Sequence, residues 1–194
     1  MGAAKDRVHV GGTPILLHLL RQAGHAGPTL LVVAAAHQRP VGVDAFDAVT
    51  TDAVEDAGPM AGIAAALAVA TTPLTIVLSV DMPNVGAEQV RWLEKQLKAD
   101  TPVDTGQPAD ESWGLMLRRQ EGSRIWIEPL PAIYRRAAGH VLQERLRTRS
   151  AISLRSLADE PGFRIMDAPA QWPVNVWLNL NRQDDLSGIG AELI

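Results

Sequence analysis

Apolar residues recur along this chain in two rhythms. Ile15, Leu16, Leu19 and Leu20 sit at helical spacing and predict a helix from Pro14, a residue suited to a first helical turn, to about Gly24. Residues 29–36, TLLVVAAA, are instead an unbroken apolar run between Gly27-Pro28 and His37. That pattern predicts a strand buried within a parallel sheet. The alternation then repeats. FDAVTTD (46–52) reads as a short strand, and Gly58-Pro59 opens a helix over PMAGIAAALAVA whose small residues allow close packing. LTIVLSV (74–80) is a second buried strand, closed by Asp81-Met82-Pro83, and 87–99 is a helix with Val90, Leu93 and Leu97 on one stripe.

The remaining elements are shorter. Val8-His9-Val10 reads as a very short strand and Gly11-Gly12 as a turn. Residues 100–112 are polar with two prolines and read as a loop. GLMLRRQEGSRIWIE predicts a hairpin turning at Glu121-Gly122-Ser123. Helices are expected near 131–147 and 151–158, and a last strand over 174–180. Strands alternating with helices imply an α/β fold with a mostly parallel sheet. With no internal repeat and no linker, the 194 residues are expected to form one domain.

Composition narrows the function classes. The chain has no cysteine, which excludes disulfides, thiolate chemistry and cysteine-ligated zinc and makes a cytoplasmic home the default. Lys5, Asp6 and Arg7 interrupt the start, so no signal peptide is expected. A net charge of −4 argues against a protein that coats nucleic acid. The histidines are scattered without an HxH or HxxxH pair, so a zinc site is not expected.

In open α/β sheets ligands sit outside the carboxyl ends of the strands. Asp81 follows such an end and is a natural Mg²⁺ ligand, since Mg²⁺ takes one or two protein carboxylates and completes its shell with water and phosphate oxygens. Opening a turn is the equally weighted alternative. Asp52 precedes Gly58 and Pro59, where free first-turn amides attract anions, and Gly62 allows close approach; an ordinary helix start explains these as well. Lys5 offers a positive charge for phosphate, or is simply solvated. Asn179 and Asn181, two apart on the expected strand, point to one face and could bond a ligand, unless Asn181 caps a helix at Arg182. Arg135, Arg136, Arg145, Arg147, Arg149 and Arg155 read as a solvated helix face, with reception of an anionic substrate the weaker alternative.

In order, these segments resemble one family. MGAAK (1–5) is similar to the tail of Leu-Ala-Gly-Gly-x-x-x-Arg-Met-Gly-x-x-Lys, and GGTPILLHLLRQA to the helix after it. DAVEDAGPMAGIAAAL resembles Asp…Gly-Pro-Leu-x-Gly-Ile, and VLSVDMP the strand ending Cys-Asp-Met-Pro. EPLPAIYRR resembles Glu-Pro-Leu-x-Ala-x-Tyr, and LNLNRQDDL resembles Asn-x-Asn-Thr-Pro-x-Asp-Leu. The combination is that of the molybdenum cofactor guanylyltransferases of the MobA type, and GPMAGI and EPLPAIY favour it over the isoprenoid cytidylyltransferases that share the general fold.

The resemblance implies a three-layer α/β/α, Rossmann-like nucleotidyltransferase fold with a mostly parallel mixed sheet. It implies transfer of GMP from GTP to molybdenum-bound molybdopterin with release of pyrophosphate, by positioning and charge neutralisation. On that reading Asp81 holds Mg²⁺ and Lys5 neutralises developing charge. Gly2, Asp52, Gly58 and Pro59 join them around the nucleotide, and Asn179 and Asn181 border the pterin. GTP, molybdopterin and other proteins of molybdenum cofactor assembly are the implied partners, with no nucleic acid and no membrane. Transfer of CMP, or a non-catalytic binding protein of the same fold, are the alternatives.

The chain departs from the pattern in three places. Val80 stands for the cysteine before Asp81, Arg182-Gln183 stands for Thr-Pro, and the first strand and Gly-Gly turn have no counterpart ahead of Met1. Without that strand a gap between neighbouring strands and exposed apolar edges are expected. The chain then reads as N-terminally truncated and a poor catalyst. A start upstream of Met1 is favoured over a member that has lost turnover, because Lys5, Asp52, Asp81, Asn179 and Asn181 are all retained.

Overall fold

A computed structural model of the protein describes residues 8–34, 39–52, 58–98, 112–150, 153–181, 185 and 191–193. The elements in order are β1 (Val8–Val10), β2 (Thr13–Pro14), α1 (Ile15–Ala23), β3 (Leu30–Ala34), β4 (Ala48–Asp52), α2 (Gly58–Val69) and β5 (Leu74–Val77). They continue with α3 (Ala87–Lys98), β6 (Gly114–Glu121), β7 (Arg124–Arg135), α4 (Ala138–Thr148), β8 (Phe163–Asp167) and β9 (Ala191–Leu193).

Local chemistry explains the helix ends. α1 buries Ile15, Leu16, Leu19 and Ala23 and stops at Gly24, whose φ of 55° lies in the left-handed region that favours glycine. α3 buries Val90, Leu93 and Leu97. At its start the Gly86 N–H donates to Gln89 Oε1 at 3.0 Å, satisfying one of the helix's orphan amides.

Helices cover both faces of the strands. On one face α2 and α4 bring Met60, Ile63, Ala64, Leu67, Ala138 and Leu142 into a core with Met116, Ala132, Tyr134 and Phe163. On the other, Leu93 and Leu97 of α3 pack with Leu115, Leu117, Ile133 and Trp172. Leu115 and Leu117 face one helix layer and Met116 the other, the alternation a strand imposes. The sheet is mixed. β3–β4 and β6–β8 are parallel pairs, while β7 lies antiparallel between β5 and β6.

The described strands form three sheets: β2-β1-β9, β3-β4 and β5-β7-β6-β8. β3 and β5 are therefore not hydrogen-bonded to each other, yet both lie beneath the same helices. α2 meets Val32 of β3 at Gly62, where an added Cβ would stand 3.6 Å from the valine, and its core packs against Val77 of β5. The α1 cluster likewise takes in Leu31 of β3 and Val80 beyond β5. All of β5 and Leu30–Val33 of β3 are only half-buried, whereas Gly114–Leu117 of β6 and Pro131–Tyr134 of β7 are buried.

Three expectations need correction. Residues 131–135 are the end of β7, not the start of a helix; α4 begins at Ala138. Pro129 and Pro131 suggest a break in the strand, but the pairing with β6 shifts register between Leu115 and Leu117, and such an irregularity accommodates residues that cannot donate. Residues 154–159 form a 3-10 helix, with Leu154 and Leu157 buried. Residues 174–180 are not a strand: Val174–Trp177 is a 3-10 turn entered from Pro173, and Val174 is 80% exposed. Parts of 100–112 and 151–158 lie outside the described residues.

Two substitutions probe the core. A Cβ on Gly114 would stand 2.7 Å from the Ile133 carbonyl oxygen and 3.0 Å from the Phe163 ring. Both neighbours belong to paired strands and cannot yield freely. Gly114→Ala is expected to cost about 1–3 kcal/mol, read as a lower urea midpoint. Tyr134 is fully buried and, among the described residues, its hydroxyl has no hydrogen-bond partner. Burial also pushes its pKa up. Tyr134→Phe is expected to leave stability unchanged or raise it by up to about 1 kcal/mol, since an unpaired buried hydroxyl is costly. A large loss in thermal melting would mean the hydroxyl is satisfied after all.

Candidate functional site

β5 stops at Val77, and the chain turns over 78–85 at the carboxyl end of that strand. β4 and β5 are joined through α2, which returns from one end of the sheet to the other, so Asp52 at the close of β4 lies at the same end as Asp81. This is the end at which open α/β sheets take ligands.

The Asp81 turn is fastened from several sides. Within it, Met82 N–H donates to Ser79 O at 3.1 Å and Val85 N–H to Met82 O at 3.3 Å. The Ser79 hydroxyl donates to Asp81 Oδ1. From α1, His18 Nε2 donates to the Pro83 carbonyl at 2.9 Å and Gln22 Nε2 to the same oxygen at 3.3 Å. Met82 and Val85 are buried against Val176.

The segment 174–181 closes onto this turn. Leu180 N–H donates to the Asp81 carbonyl at 2.8 Å, and Asn84 Nδ2 to the Asn175 carbonyl at 2.9 Å. Asn179 and Asn181 thus flank a residue bonded to Asp81, although no strand carries them. Leu180 is buried with Val8 and Ile15, which anchors the stretch between the two asparagines. Asn179 Nδ2 donates to Trp177 O at 3.2 Å, and Asn181 N–H to Asp185 Oδ2 at 2.8 Å.

Gly58 opens α2 at a φ of 60°, with open space around an added Cβ. Its glycine is required by backbone conformation, not by crowding. Gly58 and Pro59 are exposed, and Asp52 is half-buried, its Oδ2 3.9 Å from where a Cβ on Gly62 would sit. Gly2 and Lys5 lie outside the described residues.

Arg135 and Arg136 are not part of this site. Arg135 pairs with Leu74 at the amino end of β5, the end opposite Asp81, and Arg136 N–H donates to Pro73 O at 3.2 Å. Arg145 is bound to Ser156 and Glu160, and Arg147 to Glu144. That placement sets Arg135 and Arg136 away from the Asp81 end, and the ion pairs of Arg145 and Arg147 are with neighbouring acids.

Sequence reasoning missed His18, Gln22 and Asn84. His18 and Gln22 are four apart on the polar side of α1, a spacing that puts both on one face; that was the available signal. Among the described residues there is no group of three or more histidine, aspartate or glutamate side chains able to hold a metal ion. A lone Asp81 carboxylate fits a cation that takes one protein oxygen and draws the rest from water and phosphate, which is the habit of Mg²⁺. No helix among the described residues is long and apolar enough to cross a membrane.

The family described as the MobA-like NTP transferase domain matches residues 1–162. No curated protein matches the chain. Among solved structures, the molybdopterin-guanine dinucleotide biosynthesis protein A of Archaeoglobus fulgidus superposes with a TM-score of 0.71 at 19% identity, covering 97% of this chain and 89% of that one. The 2-C-methyl-D-erythritol 4-phosphate cytidylyltransferase of Thermus thermophilus gives 0.64 at 19% identity, over 93% and 89%. A CMP:2-keto-3-deoxy-manno-octonic acid synthetase complexed with CTP gives 0.66 at 12% identity, over 95% and 89%.

Proposed function

This chain belongs to the MobA-like NTP transferase family, and on that premise we propose that it transfers GMP from GTP to the phosphate of molybdenum-bound molybdopterin. The observation that carries the proposal is the bond from Leu180 N–H to the Asp81 backbone carbonyl, which ties the turn bearing a candidate phosphate-side carboxylate to the segment bearing a pair of asparagines. Such a junction suits a reaction between two substrates, one on each side.

In that reaction an oxygen of the pterin's terminal phosphate attacks the α-phosphorus of GTP in line. The new P–O bond forms as the bond to pyrophosphate breaks, and pyrophosphate leaves. No covalent intermediate with the protein is required, so catalysis rests on positioning and on charge neutralisation. Asp81 would hold Mg²⁺, which when bound neutralises phosphate charge. Ser79 orients the Asp81 carboxylate, and His18 and Gln22 keep its turn in place through Pro83 O. Asp52, with Gly58 and Pro59 at the start of α2, would border the nucleotide, Gly2 and Lys5 would meet its phosphates, and Asn179 and Asn181 would face the pterin. Other proteins of molybdenum cofactor assembly would supply and collect the substrates, in the cytoplasm.

Base choice is tested by calorimetric titration with GTP and with CTP, each with and without Mg²⁺. Binding of GTP that depends on Mg²⁺ and exceeds that of CTP is the expected result. Preference for CTP would turn the assignment to cytidylyl transfer. Absence of nucleotide binding in a folded chain would reject the enzymatic reading and leave a binding protein of the same fold.

A further inference from the structure

Glu128 is 8% exposed and carries a charge, an expensive arrangement unless the charge is met. Arg119 meets it, donating from Nε to Glu128 Oε1 at 2.5 Å and from Nη1 to Glu121 Oε2 at 2.7 Å. Burial works against the Arg119 charge, but these bonds outweigh it and hold the guanidinium above its ordinary pKa. The same guanidinium lies over two indoles, 5.7 Å from the Trp126 centroid and 5.9 Å from that of Trp177.

A buried ion pair seldom stabilises a fold more than well-packed apolar residues of the same volume would. What this pair does is hold Trp177. The Trp177 ring is gripped by Arg119 on the β6–β7 hairpin, leans on Trp172 at 5.9 Å, and packs against the cluster of Met82, Val85 and Val176. It is thus wedged between the hairpin and the Asp81 turn. Its own carbonyl accepts the hydrogen bond from Asn179 Nδ2 at 3.2 Å. Because the amide is planar, that bond turns Asn179 Oδ1 away from the carbonyl and fixes which edge a ligand meets.

We propose that Trp177, clamped by the Arg119–Glu128 pair, is the positioning residue for Asn179, so that an ion pair on the hairpin sets affinity for the acceptor and leaves the nucleotide side unchanged. This rests on the assignment of Asn179 to the pterin side. Arg119 and Trp177 act through Asn179.

The test uses the full chain and the variants Arg119→Met, Trp177→Leu and Trp177→Phe. KM for molybdenum-bound molybdopterin and KM for GTP are measured separately with Mg²⁺, beside the side-chain amide ¹⁵N–¹H signal of Asn179, identified by its loss in Asn179→Asp. Arg119→Met and Trp177→Leu are expected to raise the acceptor KM about tenfold, to leave the GTP KM within about twofold, and to shift the Asn179 signal. Trp177→Phe, which keeps an aromatic face for the guanidinium, is expected to restore most of the acceptor KM. An unchanged Asn179 signal in folded variants overturns the proposal, as does an equal rise in both KM values. If the unaltered chain transfers no nucleotide, the functional assignment fails by itself, and the amide signal still decides the clamp.

Discussion

Asp81→Asn is expected to reduce nucleotidyl transfer by about a hundredfold to a thousandfold and to remove the Mg²⁺ dependence of GTP binding. The size is that of deleting one preorganised electrostatic contact to a reacting phosphate. The substitution keeps shape and removes charge. An asparagine oxygen can still accept from the Ser79 hydroxyl, and the bond that ties in the 179–181 segment comes from Leu180 N–H to the backbone carbonyl of residue 81. Folding is therefore expected to survive, with a melting temperature within about 2 °C of the unaltered chain. The decisive measurement is calorimetric titration with GTP in the presence and absence of Mg²⁺. If the variant binds GTP as tightly as before and still responds to Mg²⁺, the assignment of Asp81 as the metal-holding carboxylate is wrong.

The second large effect concerns the edges of β3 and β5 that carry no strand partner among the described residues. Each has its other side paired, β3 with β4 and β5 with β7. α1 and α2 span them on opposite faces through Leu31, Val32, Val77 and Val80. On the reading of the chain as lacking a first strand, a strand of about five apolar residues, joined ahead of Met1 through a glycine-rich turn, is expected to pair with both edges under the cover of α1 and α2. Such an extension is expected to add roughly 3 kcal/mol, or on the order of 5–10 °C in melting temperature for a chain of this size. Its turn would also bring backbone N–H groups to the end of the sheet where Asp52 and Asp81 sit, and nucleotidyl transfer is expected to rise at least about tenfold. The control carries proline in the middle of the added strand, where it cannot donate to a ladder. Equal gains from both extensions, or no gain from either, would show that the edges do not take a strand.

Much of this was legible in the chain. The 3.6-residue stripe of α1 and its glycine stop, the apolar runs of β3 and β5, and the turn at Gly122 each announce themselves locally, because each depends on neighbours in sequence. The hairpin is found where the pattern places it, with Glu121 paired to Arg124. Asp81 could be singled out because the end of an apolar strand is both a local signal and a general ligand position.

Other features were settled only by contacts between distant parts of the chain. Val174, Val176, Leu178 and Leu180 alternate as a strand does, but no strand among the described residues pairs with them. Val176 enters the cluster beside Met82, while Leu180 enters the one around Ile15. The alternation thus served two separate cores instead of one sheet face. β7 runs past its prolines because a register shift against β6 removes the need for their N–H groups. Arg135 and Arg136 sit at the end of the sheet away from Asp81, a fact set by the antiparallel pairing of β7 with β5. The sequence by itself determined α1, α2, α3, the apolar runs of β3 and β5 and the choice of Asp81 and the asparagines as candidates, since those follow from local periodicity and side-chain chemistry. Which of them meet was decided by the tertiary structure, through bonds such as Leu180 to Asp81 and Arg119 to Glu128 that only a folded sheet brings within reach.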